Sequence, residues 1–153
     1  PSRGLGDVYK RQLVEIIRKL KRPYVRYTRA DEKNVRKADC LIIDCFGLLS
    51  SIYRYGEIAY IGGGFGVGIH NTLEAAVYGI PVIFGPKYQK FQEAIQLLEA
   101  KGAFSVKDYE ELKTLLDRML TDEVFLRESG MNASNYVTGN AGATDKIMSM
   151  INF

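Results

Sequence analysis

The sequence predicts an α/β fold, a parallel sheet flanked by helices. Short apolar runs alternate with amphipathic stretches at helical spacing along most of the chain. Three of these runs, CLIIDC (40–45), EIAYIGG (57–63) and PVIFGP (81–86), read as strands buried in a sheet, the first of them apolar enough to be buried on both faces. Strands separated by helices imply parallel pairing with right-handed crossovers.

The elements follow in order. LVEIIRKLK (13–21) has helical periodicity and stops before Pro23, and YVRYT (24–28) alternates as a strand does. After CLIIDC, GLLSSIYRYG (47–56) reads as a short helix closed by glycine. EIAYIGG leads into HNTLEAAVYG (70–79), another short helix with a C-terminal glycine. PVIFGP places Pro81 at the one strand position that tolerates it. YQKFQEAIQLLEAKG (88–102) is an amphipathic helix with Phe91, Ile95 and Leu98 on one stripe, and AFSV (103–106) a short strand. DYEELKTLLDRML (108–120) opens on Asp108 as N-cap, with Glu111 placed for a capping box. DEVFLRESGMNASNYV (122–137) and GATDKIMSMI (142–151) complete the chain as two further helices.

At 153 residues, 46% hydrophobic and 25% charged, the chain has the size and composition of one soluble globular domain. No apolar stretch approaches the roughly 18 to 20 residues of a membrane span. Cys40 and Cys45 cannot form a disulfide framework and read as small buried residues in a reducing compartment. One histidine and two cysteines match no metal-ligand spacing, so neither a metal nor a cofactor is expected. Residues 1–12, PSRGLGDVYKRQ, contain DVYKRQ, which a transposon end used in sequencing libraries encodes in one frame. They are expected to be a non-native library-adapter scar, leaving 13–153 as the domain, incomplete at its N-terminus, of a protein that continues upstream. Without the scar's Arg3, Lys10, Arg11 and Asp7 the net charge falls from +3 to +1, which is no argument for nucleic acid.

The chemistry lies in IGGGFGVGIHNTLEAAVYG (61–79), which holds six of the fifteen glycines. In parallel sheets ligands bind beyond the carboxyl ends of strands. There the glycines, Gly63 and Gly64 among them, turn the chain and expose its amides. A helix starting near His70 and Asn71 adds unpaired N–H groups and the positive end of its dipole, an arrangement suited to phosphate. Asn71 can cap that helix while contacting a ligand. Glu74, one turn in, would repel a phosphate beside it, so it is expected to reach past it to the hydroxyls of a ribose. Glycine turns also serve close packing and first-turn glutamates also serve the dipole, but the combination favours a bound nucleotide. The pattern is neither a dinucleotide fingerprint nor a Walker loop. His70 is expected to donate to phosphate or a sugar carboxylate, or to make a structural hydrogen bond. DCFGLL (44–49) repeats the strand-to-helix logic at Gly47. GPKYQKFQEA (85–94) brings Lys87 and Lys90 near a helix start, Lys90 more as a solvated residue and Lys87 evenly between solvent and ligand. Tyr53, Tyr55, Tyr60 and Tyr78 read as core and rim.

The motif IGGG, HN-T-LEAA, PV-I-FGP and a following F-Q-E resembles the carboxyl half of bacterial 3-deoxy-D-manno-octulosonic acid (Kdo) transferases. The resemblance runs from about Leu13 to the end and is specific over 41–93. It implies the Rossmann-like, donor-binding carboxyl-terminal half of a GT-B glycosyltransferase, N-terminally truncated, gripping CMP-Kdo. Carried over by position, Phe46, Gly47 and Leu48 would contact CMP, as would Asn71, Thr72, Leu73 and Glu74, with Lys87 a possible donor contact. The family transfers Kdo to the lipid A precursor in lipopolysaccharide synthesis at the cytoplasmic face of the inner membrane, without a metal in the nucleotide site. Its general base lies in the amino-terminal domain, so no catalytic residue is expected in this fragment, which alone should be inactive. Leu48 departs from the family's Glu, Ile69 from its second Gly before HN, and Lys87 and Lys90 from its His and Asn. A UDP-sugar transferase or epimerase of the same architecture, or a non-catalytic nucleotide-binding module, are the alternatives.

Overall fold

A computed structural model describes residues 3–151, with side chains from Lys10 to Asn140. Pro1 and Ser2 of the expected scar, and residues 152 and 153, lie outside the described residues. The chain divides into two compact units, one ending at Leu49 and one beginning at Ser50.

The first unit holds helix α1 (Arg3–Lys19), strand β1 (Tyr24–Arg26), a single turn of helix α2 (Glu32–Val35) and strand β2 (Cys40–Ile42). Helix α1 passes through Gln12 and Leu13 without a break. β1 and β2 pair in parallel, with Tyr24 opposite Cys40 and Arg26 opposite Ile42. The strand expected over 24–28 stops at Arg26 because Thr28 turns toward Asp44. The Thr28 N–H and hydroxyl donate to that carboxylate at 3.0 and 2.7 Å, and Arg26 Nε donates at 2.8 Å. Thr28's hydroxyl foremost, then its N–H and the Arg26 guanidinium, hold the Asp44 carboxyl down at about 2. The expectation that 40–45 is buried on both faces is corrected. Leu41 is 47% exposed and both cysteines are half-buried, since β2 pairs with one strand only among the described residues. Periodicity did not reveal α2, whose four residues EKNV form no apolar stripe; a reciprocal Asp31–Asn34 capping box holds it instead.

The second unit is built on strands β3 (Ala59–Ile61), β4 (Val82–Phe84) and β5 (Ala103–Ser105), all parallel, in the order β3-β4-β5. Central β4 carries the burial expected of such a strand. Val82 and Phe84 enter a core with Ala59, Ile61, Ala75, Ala94 and Leu97, while Ile83 enters a second with Val106 and Met119. Each of these three side chains is fully buried, which stabilises the fold by about 1.5 to 3 kcal/mol apiece. Edge strand β3 buries Ala59 and Ile61 but leaves Tyr60 48% exposed. Helices α5 (Gln92–Glu99) and α6 (Tyr109–Thr121) flank the strands, and α7 (Glu123–Ile151) packs against α4 (Leu73–Ala76), α5 and α6. Ahead of them, α3 (Leu49–Ile52) continues as a tighter turn to Tyr55 and stops at Gly56.

The two helices expected after residue 121 are one. α7 runs through Gly139, because a helical glycine costs about 1 kcal/mol without breaking the hydrogen-bond ladder. Asp108 caps α6 as expected, accepting from the Glu111 N–H at 2.8 Å. Glu111 returns the bond to the Lys107 amide, one residue ahead of a capping box.

Two outcomes test these packing arguments. The Asp44 carboxyl is held below its ordinary 3.8, so its contribution to the first unit is complete above pH 4 and lost as pH falls toward 2. Hydrogen exchange of the β1–β2 amides should accelerate over that window, and Asp44→Asn should flatten the dependence. A Cβ at Gly64 would lie 2.5 Å from the Gly85 backbone, whereas one at Gly62 meets nothing nearer than a His70 ring atom at 3.9 Å. Gly64→Ala should therefore cost about 1 to 3 kcal/mol in denaturant unfolding and Gly62→Ala less than about 0.5.

Candidate functional site

The glycine-rich loop leaves the carboxyl end of β3 and closes on itself. The Gly66 and Gly68 amides both donate to the Gly63 carbonyl, at 3.0 and 3.1 Å, and the His70 amide donates to Gly62 at 3.1 Å. Gly63 sits at φ +92°, and a side chain there would overlap the Gly68 carbonyl. Gly64 is buried against Gly85 in the loop after β4, and its carbonyl accepts from the Lys87 amide at 2.9 Å. At these positions the missing side chains make room for the protein's own backbone. Gly62 and Gly66 are exposed and open to approach from outside.

Helix α4 begins at Leu73, three residues later than the pattern suggested, because the Asn71 side chain intervenes. Its Oδ1 accepts from the Leu73 amide at 2.9 Å, making a turn that ends the loop and starts the helix. Asn71 is exposed at this corner. Thr72 is the N-cap residue by position, but its side chain makes no cap bond. Its hydroxyl is the one buried side-chain polar atom among the described residues without a partner. Leu73 packs its side chain into the main core. Of the amides in the first turn, Ala76 donates to Thr72, while none of the hydrogen bonds of the described residues is donated by Glu74 or Ala75. Gly79, at φ +74°, closes the helical segment, as its place in the sequence suggested.

Glu74 is half-buried, and its charge acts on Tyr53, which packs on the same core. Burial first, and then the Glu74 carboxylate, push the Tyr53 phenol above its ordinary value of 10, so it stays protonated and able to donate. Tyr53 thus packs on the core, as its sequence context suggests, and no spacing rule links it to Glu74. His70 is exposed and makes no ion pair among the described residues. Lys87 and Lys90 face a cavity of about 300 Å³ beside the glycine-rich loop, lined also by Gly66, Val67, Gln89 and Phe91.

Phe46, Gly47 and Leu48 belong to the first unit, in the loop between β2 and α3. Gly47 adopts φ +89° with open space around it, so its glycine serves the turn itself, and Phe46 is 95% exposed. A larger concavity, about 630 Å³, runs along β5 and α6 and includes none of the candidate nucleotide-site residues expected from sequence. Asp108, Glu110 and Glu111 crowd its helix start, which disfavours an anion there. Among the described residues no three of His, Cys, Asp and Glu are grouped to hold a metal ion, and no helix is long and apolar enough to cross a membrane.

No family model matches the chain. It is 42% identical over 87 residues, 56% of its length, to the 3-deoxy-D-manno-octulosonic acid transferase of Aquifex aeolicus, of which this covers 25%. It is 32% identical over 116 residues, 74% of its length, to the enzyme of the same name from Rickettsia bellii, covering 28% of it. The chain thus spans about a quarter of the length of the curated relatives it matches. The solved C-terminal CMP-Kdo binding domain of WaaA from Acinetobacter baumannii superposes with a TM-score of 0.72 over 83% of this chain and 67% of that one, at 19% identity. Over the matched residues, this chain is similar to the 3-deoxy-D-manno-octulosonic acid transferases, and it shares the parallel α/β fold of the WaaA carboxyl-terminal domain.

Proposed function

We propose that this chain is the donor-binding portion of a glycosyltransferase that moves Kdo from CMP-Kdo to the lipid A precursor. The observation that carries the reading is the start of α4. There Asn71, the undonated amide of half-buried Glu74, and the Glu74 carboxylate follow the glycine-rich loop that leaves the carboxyl end of β3, in a chain related to named Kdo transferases. The amides and the helix start take the CMP phosphate, and Glu74 accepts from the two ribose hydroxyls with Tyr53 beside it. Phosphate charge that grows as CMP departs is stabilised by the same amides, which cost no reorganisation at that moment.

The residues of this site bind and orient. Glu74 accepts from the ribose, and the resemblance to the family assigns the base that deprotonates the acceptor hydroxyl to the family's amino-terminal domain. The attack forms the new bond at the anomeric carbon of Kdo and breaks its bond to the CMP phosphate. No metal takes part in holding the nucleotide. The acceptor is a lipid, so the enzyme works at a membrane surface, the cytoplasmic face of the inner membrane. A role for Phe46, Gly47 and Leu48 in holding CMP rests on the resemblance of their loop to the family motif.

Calorimetry tests the assignment. CMP should bind the chain more tightly than UDP does, and Glu74→Ala should weaken CMP by about 1 to 3 kcal/mol, the usual loss when a charged hydrogen-bond acceptor is removed. Unchanged CMP affinity in the variant contradicts the ribose contact, and a preference for UDP contradicts the choice of donor.

A further inference from the structure

Beside the nucleotide residues lies a second, differently built concavity. The cavity of about 300 Å³ between the glycine-rich loop and the loop after β4 has Lys87 and Lys90 among its walls, with Gly66, Val67, Gln89 and Phe91. Neither lysine makes an ion pair among the described residues. Two cations around one concavity repel each other, and an anion between them turns that repulsion into attraction. The lysine backbones are held in place. Gln89 Nε2 donates to the Pro86 carbonyl at 2.8 Å and its Oε1 accepts from the Tyr88 amide at 3.1 Å. The Phe91 amide donates to Tyr88 at 2.9 Å, and the Lys87 amide to Gly64 at 2.9 Å. The edge of the Phe91 ring lies against Gly68, where a Cβ would approach it to 3.1 Å, so one wall is apolar and fixed.

None of Asn71, Thr72 and Glu74 lines this cavity, so it receives a different part of the ligand from the ribose. Gly62 at one end of the glycine-rich loop holds the His70 amide, and Gly66 further along lines the cavity, so the two places share one loop. In an activated 2-keto sugar acid the carboxylate and the leaving phosphate sit on the same carbon, and a donor of this class presents two anions side by side. We propose that the cavity is the subsite for the carboxylate of the donor's acidic sugar, with Lys87 and Lys90 as its cationic walls. This assignment rests on the donor reading above and adds the group that selects an acidic over a neutral sugar.

The test is a calorimetric comparison of CMP with CMP-Kdo on the unsubstituted chain and on Lys87→Gln, Lys90→Gln and Lys87→Arg. Both lysines are exposed, and thermal melts check that each variant keeps its fold. The unsubstituted chain should bind CMP-Kdo more tightly than CMP. Each Gln variant should lose about tenfold in CMP-Kdo affinity, the size of one hydrogen bond to a charged group, and change CMP by less than about twofold. Lys87→Arg, which keeps the charge, should retain CMP-Kdo binding. Unchanged CMP-Kdo affinity in both Gln variants overturns the subsite. Equal losses for CMP and CMP-Kdo assign the lysines to the phosphate and overturn it too. An unsubstituted chain that binds neither ligand removes the donor reading, and this subsite with it.

Discussion

The second unit depends on a contact between two backbones. Gly64, just past β3, lies directly on Gly85, just past β4, and the Lys87 amide closes the contact by donating to the Gly64 carbonyl. A side chain at either glycine would separate the loops. With the contact made, the glycine-rich loop is pinned to the end of the central strand. The start of α4 follows that loop in the chain, and Lys87 and Lys90 stand in the loop that Gly85 begins. The Ser105 hydroxyl, at the end of β5, donates to the Gly85 carbonyl at 3.1 Å and ties the third strand's exit to the same point.

Side chains bonded to nearby backbone fix the ends of these loops. Asn71 holds the Leu73 amide, Gln89 holds both ends of its own turn, and in the first unit Asp44 gathers Thr28 and Arg26 at the end of the β1–β2 pair. Such bonds order the loops before any ligand arrives, so less of the binding free energy goes into ordering them. The Thr72 hydroxyl is the exception, a buried polar atom left without a partner at the same helix start.

Element order is legible in the sequence where burial is strong. PVIF reads as a strand because Val82, Ile83 and Phe84 are buried on both faces, and Asp108 reads as a cap because its partner is three residues away. The pattern fails where the physics is nonlocal or polar. CLI looks fully buried by composition but has one strand neighbour among the described residues, and EKNV folds through a capping box without an apolar stripe. Helix lengths depart from the sequence pattern at both extremes: α4 is cut short by the Asn71 turn, and α7 continues through Gly139. Around the candidate site, spacing places the glycines in the turn after β3 and Asn71 and Glu74 at the next helix start. The reason for Gly64 could not be read there, since its partner Gly85 belongs to the next strand's exit, and the effect of the Glu74 charge on Tyr53 arises only through the fold.

The central claim is that the donor's nucleotide lies along the start of α4. A crystal structure of the chain with CMP tests it most directly. The account predicts both ribose hydroxyls within about 3.2 Å of the Glu74 carboxylate and the phosphate on the Glu74 amide. CMP seated instead in the groove along β5 and α6, with Glu74 untouched, would contradict it.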